Sequence, residues 1–407
     1  MFVVQLKPVA CITGLLVVST IGFSQQKPDS VQSIKPATTS SKWYDQFAIR
    51  GYMQVRYNRL LETNEKLKCE QCDKSWGEDG GFFIRRMRLI FYGQVSERVY
   101  FYVQPDFASS TGTTNHIVQL RDAYVDLGLD KQNQFRFRLG QSKVPYGFEN
   151  MQSSQNRLPL DRNDPLNSAL SNERDLGVFF YWAPPKTRKL FSDLVKDGLK
   201  GSGDYGVFAL GTYNGQTANQ SEKNNKLHVV SRLSYPFEIK NQVIEAGVQA
   251  YTGKFVLLNT SPGVKRTVDS EYLDQRVGAS FILYPKPFGI QAEYNVGQGP
   301  EFNKQTDSIE VRNLSGGYIT ASYQLKLGKQ LLIPFVRGQY YEGGKKHELD
   351  ARSYRVTEYE IGFEWQPHKN FELVAMYTIS SRRFEDYVKQ DNLQTGRLLR
   401  IQAQLNF

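Results

Sequence analysis

The chain has 407 residues, with 51 Lys and Arg against 41 Asp and Glu, so its formal net charge at pH 7 is +10. The mean hydropathy is −0.50, which excludes a polytopic helical membrane protein, because such a chain needs several apolar runs of about 20 residues. Four His and three Cys residues argue against a multi-metal or disulfide-rich design, and the basic residues form no block that would indicate a nucleic-acid-binding arm.

The N-terminus has the pattern of an export signal. Lys7 precedes an apolar run at residues 9–23, which is too short to span a bilayer as an anchor. Gly22 and Ser24 are the small residues expected just before a signal-peptidase cleavage point. We therefore predict that residues 1–24 are a signal peptide and that the mature protein leaves the cytoplasm.

Composition divides the remaining chain into two parts. Residues 25–45 are rich in Gln, Ser, Thr, Lys and Pro without a period, which predicts a flexible periplasmic segment. From there to the end the texture does not change again, so residues 46–407 are predicted to be one domain.

That domain alternates with period two. In residues 47–57 the odd positions are apolar or Gly, and the even positions include Arg50, Gln54 and Arg56. About ten residues is the length that a tilted strand needs to cross a bilayer. The same alternation recurs at residues 135–139, 244–250, 276–283, 290–296, 358–365 and 399–407.

The connections between these segments alternate in length. Short turns are predicted near residues 96–97, 128–133, 236–241, 285–287, 328–330 and 367–370. Long polar loops are predicted near residues 59–80, 105–116, 141–172, 215–225, 252–273, 297–315, 342–353 and 381–397. One connection, residues 183–203, is long where a short turn is expected.

Long strands with this spacing predict an all-β fold, a transmembrane antiparallel β-barrel of about 16 strands with short periplasmic turns and long outer loops. Closure is required because an open sheet edge in lipid leaves N–H and C=O groups unpaired. Aromatic residues near strand ends suit interfacial girdles; they are Tyr57, Tyr235, Tyr284, Tyr341 and Trp365. The alternative is a soluble sandwich, whose globular strands are usually only about 5–6 residues long.

Several motifs resemble the phosphate-selective porin O and P family. They are Arg-Arg-Met-Arg-Leu at residues 85–89, Asp-Phe-Ala at 106–108, Asp-Ala-Tyr-Val at 122–125, the run at 137–147 and Glu-Arg-Asp-Leu-Gly at 173–177. The resemblance implies a sixteen-stranded, usually trimeric channel with basic residues in its lumen, placed in the outer membrane of a Gram-negative cell. Phe407 resembles the terminal aromatic residue that barrel-assembly machinery recognises.

Strand parity assigns a set of cations to the lumen, because Arg near the bilayer midplane costs about 2–4 kcal/mol on the lipid face. The predicted pore-lining residues are Arg50, Arg56, Arg86, Arg88, Arg136, Arg138, Arg276 and Arg400, together with Lys143. Parity also sends carboxylates inward, including Asp106, Asp122, Glu245, Glu293, Glu358, Glu360 and Glu364. The lining is therefore mixed, and many of the arginines are candidates for holding opposed carboxylates.

The loop at residues 141–172 is placed like the third outer loop of porins, which commonly folds into the barrel. Its candidate constriction residues are Lys143, Pro145, Gly147, Asp161 and Arg162. The simpler interpretation of Lys143 is an exposed loop lysine.

These features predict an outer-membrane porin through which small hydrophilic solutes diffuse, with anions such as phosphate favoured by the arginines. No catalytic group, metal or cofactor is expected, and the expected partners are small anionic or polar solutes, outer-membrane lipids, two further copies of the chain and the assembly machinery. Cys69 and Cys72 form a CxxC in the first long loop; in an exported protein a local disulfide is favoured over a zinc or redox site.

Two other functions stay open. A barrel with a closed lumen can bind a partner through its long loops, and it predicts little conductance. A barrel-borne lipid hydrolase needs Ser, His and an acid together on one outer wall, with His228 as its candidate histidine.

Overall fold

The computed structural model describes residues 46–61, 80–111 and 114–407. Its strands are β1 (Phe47–Leu60), β2 (Gly81–Ser96), β3 (Val99–Thr111), β4 (Thr114–Gly128), β5 (Phe135–Lys143), β6 (Arg174–Trp182), β7 (Phe208–Tyr213), β8 (His228–Ile239), β9 (Gln242–Val256), β10 (Glu271–Leu283), β11 (Phe288–Asn303), β12 (Ser308–Tyr323), β13 (Leu325–Leu327), β14 (Gln330–Gly344), β15 (Ser353–His368), β16 (Phe371–Glu385) and β17 (Leu393–Asn406). The helices are α1 (Phe148–Met151), α2 (Asp164–Ala169) and α3 (Pro185–Lys196), and a 3-10 turn lies at Leu349–Ala351.

The strands form one closed antiparallel sheet. Each pairs with its neighbours in the chain, and β1 pairs with β17 as well as with β2, which closes the cylinder. β12 and β13 both pair with β14 and are two parts of one strand, interrupted at Gln324. The barrel therefore has sixteen strands, which confirms the predicted fold class.

The seam between the first and last strands ends at the C-terminus. Gly51 and Phe407 exchange two backbone hydrogen bonds, of 2.7 and 3.0 Å. A Cβ atom at Gly51 would lie 2.7 Å from the Phe407 ring, so a residue without a side chain lets this ring lie over β1.

Alternation gives the barrel an apolar outside and a polar inside. Along β10 the outward Val277 and Phe281 are 58% and 44% exposed, whereas the inward Arg276 and Ser280 are buried. Other large apolar side chains exposed on the outer surface are Ile49, Val229, Leu233, Val248, Tyr294, Val336, Tyr359, Ile361, Ile379 and Leu405. Such a surface suits lipid, because the lipid face of a barrel strand is apolar and its lumen face polar. No helix among the described residues is long and apolar enough to cross a membrane.

The short connections occur where the sequence predicts them, but three predicted long loops are wrong. Residues 105–116 lie mainly in β3 and β4, residues 297–315 mainly in β11 and β12, and residues 381–397 mainly in β16 and β17. The apolar outer band of a membrane barrel is only about 25 Å tall, so strand ends beyond it can be polar on both faces. In sequence, such strand ends have the same polar composition as a loop.

The predicted aromatic girdle is also partly wrong. Tyr235 is 44% exposed on the outside, but Tyr284 and Tyr341 are 1% and 0% exposed and face the lumen. The Tyr284 hydroxyl donates to Glu245 at 2.6 Å and the Tyr341 hydroxyl to the Gly344 carbonyl at 2.6 Å. Both hydroxyls donate hydrogen bonds to polar groups of the barrel interior. The position of a tyrosine near a strand end does not reveal whether its side chain faces the interior or the lipid.

Two connecting segments enter the barrel. The lumen loop, residues 144–173, contains α1 and α2 and lies inside the wall. The α3 segment, residues 183–207, extends from the short-turn end of β6 across to β15, where the Lys200 Nζ lies 2.6 Å from Glu364. Leu194 and Leu199 of this segment pack in one apolar cluster with Phe148 of the lumen loop. The lumen is therefore narrowed from within by two chain segments that contact each other.

Candidate functional site: the barrel lumen

Arginines of the wall hold the lumen loop through its acidic side chains. Arg56 of β1 and Arg400 of β17 both bond Asp161, at 2.9 and 2.6 Å. Arg337 of β14 contacts Glu149 at 3.1 Å. All five side chains are nearly inaccessible to water. A buried arginine or carboxylate without its partner is costly, and the hydrogen bonds between the two groups form only in a narrow geometry. These pairs therefore fix the position of the loop against the wall.

The helices of the loop are bonded to the wall in the same way. Glu293 of β11 accepts the backbone N–H groups of Phe148 and Glu149, at 2.7 and 2.8 Å. Arg276 of β10 donates to the Pro165 carbonyl at 3.0 Å and to the Ser168 hydroxyl at 2.8 Å. Both α1 and α2 are thus fixed to one side of the barrel.

Asp164, at the start of α2, extends this contact to β14 and β16. It pairs with Arg382 at 2.8 Å and with Lys345, and its backbone N–H donates to Gln339 at 2.8 Å. Strand parity does not assign Arg382 to the lumen, because this residue falls in the predicted loop at 381–397, which in this part is strand.

Lys143, predicted to stand near the constriction, lies instead beneath the lumen loop. It is 5% exposed, and its Nζ donates to the carbonyl oxygens of Asn150 and Gln152 at 2.9 and 2.5 Å. Glu173 lies 3.2 Å away. The ammonium group therefore holds the loop together and does not face a solute, because its donors are used by the chain itself.

The other predicted constriction residues are also structural in their contacts. Arg162 lies 3.0 Å from Glu173 and donates to the Leu170 carbonyl at 2.9 Å. Pro145 is buried, and Gly147 has a φ of +81°, with Leu166 2.7 Å from where a Cβ would lie. Asp161 is the one whose contacts reach the wall.

Most of the predicted pore-lining arginines are paired with carboxylates of the wall or of a connecting segment. Arg88 lies 2.7 Å from Asp106. Arg138 makes two hydrogen bonds to Asp126, at 2.7 and 2.8 Å. Such side chains face the lumen, but their charge is balanced locally.

Arg136 belongs to the same group but pairs at the short-turn end. Its Nη1 lies 2.8 Å from Asp204 of the α3 segment, and Arg188 of that segment lies 2.8 Å from the same carboxylate. Burial raises the pKa of Asp204, but the two guanidinium groups outweigh it and lower the pKa to about 2. Asp204 therefore carries a charge at neutral pH and holds the end of the α3 segment against β5.

Arg276 has no carboxylate within ion-pair distance among the described residues, but it donates to the lumen loop; Arg50 and Arg86 have neither kind of partner there. Within residues 46–61, 80–111 and 114–407, neither lies within ion-pair distance of a carboxylate. Arg86 donates one hydrogen bond to the Gln54 side chain, at 2.8 Å, and Arg50 is exposed with its guanidinium 5.3 Å from the Tyr92 ring. Both lie on the β1–β2 hairpin, so one strip of the wall carries uncompensated positive charge.

A β-bulge adds Arg85 to this strip. In the β1–β2 ladder Gln54 opposes Arg86 and Val55 opposes Ile84, which leaves Arg85 without a partner. A bulge lets two successive residues face one side, and Arg85 reaches Asp161 at 3.4 Å. Parity alone misses this residue, because a bulge breaks the period of two and nothing in the local sequence marks it.

The remaining sequence hypotheses have different outcomes. Cys69 and Cys72 lie outside the described residues. No group of three or more His, Cys, Asp or Glu side chains suitable for a metal occurs in the described part of the chain. His228 faces inward with 0% exposure and packs against Tyr213 and Tyr251, so it does not lie on the outer wall that a lipid hydrolase would use.

Comparison with solved structures shows the fold. The outer membrane channel DcaP of Acinetobacter baumannii is 14% identical, with a TM-score of 0.56 over 89% of this chain and 97% of that one. OmpF of Salmonella typhi, in complex with daunomycin, is 12% identical, with a TM-score of 0.55 over 89% of this chain and 97% of that one. OmpT of Vibrio cholerae in its trimer form is 11% identical, with a TM-score of 0.51 over 89% of this chain and 99% of that one.

Comparison with curated proteins gives no match. The family model of the phosphate-selective porin O and P matches residues 68–407, which include every pore-lining residue assigned above except those of β1. The match spans most of the chain and agrees with the closed sixteen-stranded barrel. The chain belongs to the phosphate-selective porin O and P family and is an outer-membrane porin.

Proposed function

We propose that the porin favours small anions over cations, with phosphate among the anions that it admits. The observation that supports this is the state of the lumen arginines. Arg50 and Arg86 have no carboxylate partner among the described residues, whereas Arg56, Arg88, Arg138 and Arg400 have one. Arg276 also has none there, but its guanidinium donates to the Pro165 carbonyl and the Ser168 hydroxyl of the lumen loop.

The two arginines that have neither a carboxylate nor a lumen-loop partner among the described residues, Arg50 and Arg86, lie along one path. Arg50 opposes Ile90 and Arg86 opposes Gln54 in the β1–β2 ladder, so four residues separate the two levels, or about 13 Å along the strand. An anion leaving Arg86 meets Arg50 next, and two weak sites in series let an ion enter and leave. A planar guanidinium can also hold two oxygens of one phosphate, which supports phosphate as a permeant solute.

The test is the reversal potential of the purified porin in planar bilayers under a KCl gradient. We expect the reversal potential to have the sign of a chloride-selective pore. Arg50→Gln and Arg86→Gln should each move the potential toward zero, because each removes positive charge from the path. The matched control is Lys240→Gln, which removes an exposed charge in a short turn outside the lumen. Equal shifts in all three variants would show that net charge, and not the path, sets selectivity.

Phosphate is tested separately, as an inhibitor of the chloride current. Arg86→Gln is expected to raise the half-inhibiting phosphate concentration about tenfold, since a hydrogen bond to a charged group contributes about 1.5–3 kcal/mol. Phosphate that inhibits both forms equally would restrict the proposal to anions in general.

A closed lumen is the second candidate, and one observation favours it. The lumen loop and the α3 segment meet in a buried apolar cluster that includes Phe148, Leu194 and Leu199. A barrel sealed by this contact would act through its outer loops. This candidate predicts that planar bilayers containing the protein show no channel current.

We also propose that the mature protein starts after residue 24, assembles as a homotrimer and enters the membrane through recognition of Phe407. Trimeric assembly is supported by the solved neighbour described as a trimer form. Phe407 is 54% exposed, so its ring is accessible at the seam of the barrel.

A further inference from the structure

We propose that the lumen wall next to Arg50 is a site for aromatic carboxylates, so that the porin passes ring-bearing organic anions better than saturated ones of equal charge. This inference rests on the proposed anion preference and adds a solute class to it. It is carried by a row of tyrosines on three neighbouring strands.

The row consists of Tyr92, Tyr102 and Tyr124, which we call the tyrosine row. Tyr92 opposes Tyr102 in the β2–β3 ladder, and Tyr102 opposes Tyr124 in the β3–β4 ladder. The three therefore stand at one level of the barrel. The rings of Tyr102 and Tyr124 are stacked, with centroids 5.1 Å apart and planes 13° apart.

The tyrosine row faces the lumen and is partly open to it. The inward side of β3 and β4 is marked by the buried Gln104 and Asp122, which share the parity of Tyr102 and Tyr124. All three tyrosines keep partial exposure. Among the described residues, the lumen loop contacts the strands of the row through Arg88 and Arg121, and it makes no hydrogen bond to the three tyrosines. The rings are therefore accessible from the passage.

Arginines lie at both ends of the row. The Arg50 guanidinium lies 5.3 Å from the centroid of Tyr92, and the Arg138 guanidinium lies 3.9 Å from that of Tyr124. Arg138 is neutralised by its two bonds to Asp126. At the other end of the row, Arg50 has no carboxylate partner among the described residues, so its charge is available. Tyr100 adds a further ring there, with its centroid 6.5 Å from that of Tyr92.

The arrangement suits a flat anion. A carboxylate can pair with Arg50 while its ring lies against tyrosine faces or edges, a contact favoured by the quadrupoles of aromatic rings. The phenol hydroxyls can donate to the same carboxylate. A saturated ring of similar size keeps the charge and the apolar area but lacks the flat face. Inorganic phosphate gains nothing from the rings, so its passage and that of aryl carboxylates depend on different residues.

The experiment compares benzoate with cyclohexanecarboxylate as inhibitors of the chloride current through the purified porin in planar bilayers. We expect benzoate to inhibit at about one-tenth of the concentration, a ratio that corresponds to about 1.4 kcal/mol. Tyr102→Leu should abolish this ratio and leave chloride selectivity unchanged. Tyr235→Leu, which removes a tyrosine from the outer surface, is the matched control and should keep the ratio.

Tyr92→Leu provides a second variant in case Tyr102→Leu does not assemble, and it should also reduce the ratio. Equal inhibition by the two carboxylates in the wild type, or a ratio that survives both substitutions, would overturn the tyrosine-row proposal. A potassium-selective wild type would instead overturn the anion preference. The two failures are distinguishable, because the first concerns the ratio of two anions and the second the sign of the reversal potential.

Discussion

At the scale of single residues, the described part of the lumen contains arginines that are paired with carboxylates and arginines that are not. Arg400 bonds Asp161 at 2.6 Å and Glu360 at 3.1 Å, which leaves little of its charge for a passing ion. Within the described ranges, Arg86 has a single hydrogen bond, to Gln54. Strand parity placed both of them on the same face and could not separate them, because pairing depends on which carboxylate the folded loop brings near.

The predicted role of Lys143 shows the same difficulty. Its sequence position at the start of the longest clean loop suggested a constriction residue. The folded loop instead turns back over it and supplies carbonyl oxygens to its ammonium group. Contacts made by the backbone of residues several positions further along are not encoded in any local pattern.

Asp204 gives a prediction about pH. Its folded pKa, about 2, lies below the ordinary value of about 3.9 for Asp. The carboxylate therefore contributes stability that is present above about pH 4 and is lost as the pH falls through 2. In thermal unfolding followed by circular dichroism in detergent, the difference between wild type and Asp204→Asn should be constant from pH 7 to pH 4 and shrink toward pH 2. A difference that does not change with pH would show that the charge of Asp204 stabilises nothing.

At the scale of elements, the period of two predicted the strands and its interruptions predicted most connections. The errors at 105–116, 297–315 and 381–397 come from polar strand ends. The α3 segment was noticed only as a connection of unusual length, at 183–203. Its course across the barrel depends on a pairing of Lys200 with Glu364, two residues 164 positions apart, which no single-sequence pattern reveals.

The lumen loop depends on Asp161, which faces Arg56, Arg400 and Arg85. Asp161→Asn keeps the shape of the side chain and removes the charge, so it leaves buried arginines without their carboxylate. Such a loss typically costs about 3–5 kcal/mol. We expect a lower unfolding temperature, larger current noise as the loop loosens, and stronger chloride selectivity because more positive charge faces the pore.

Asp193→Asn is the matched control for Asp161→Asn. Asp193 pairs with Lys189 on the exposed side of α3, and exposed pairs contribute about 0–1 kcal/mol. An Asp161→Asn protein with the wild-type unfolding temperature and noise would contradict the role given to this carboxylate.

The α3 segment is tested through its distant contact. Lys200→Gln leaves Glu364, which is 0% exposed, without its cation, and we expect the segment to detach from β15. Limited trypsin digestion should then cut after Lys196 faster than in the wild type. Lys186→Gln, which breaks an exposed pair with Glu238, should digest at the wild-type rate. Unchanged cleavage in Lys200→Gln would mean that the other contacts of the segment, the apolar cluster and the Arg136–Asp204 pair, hold it without Lys200.

At the scale of the whole molecule, the closed sheet explains the composition. Sixteen strands bury their polar and charged side chains toward a lumen and present apolar ones to lipid, so the chain has a mean hydropathy of −0.50 and yet belongs in a membrane. Length, parity and connection lengths were enough to predict this architecture. The contents of the lumen were not predictable, because they depend on long-range pairs between the wall, the lumen loop and the α3 segment.

The most direct test of the whole account is a single-channel recording of the wild-type porin in a planar bilayer with a KCl gradient. The account predicts stepwise currents that reverse near the chloride potential. A protein that inserts without conducting would contradict the open lumen, and stepwise currents that reverse near the potassium potential would contradict the assignment of Arg50 and Arg86 as the charges that select the solute.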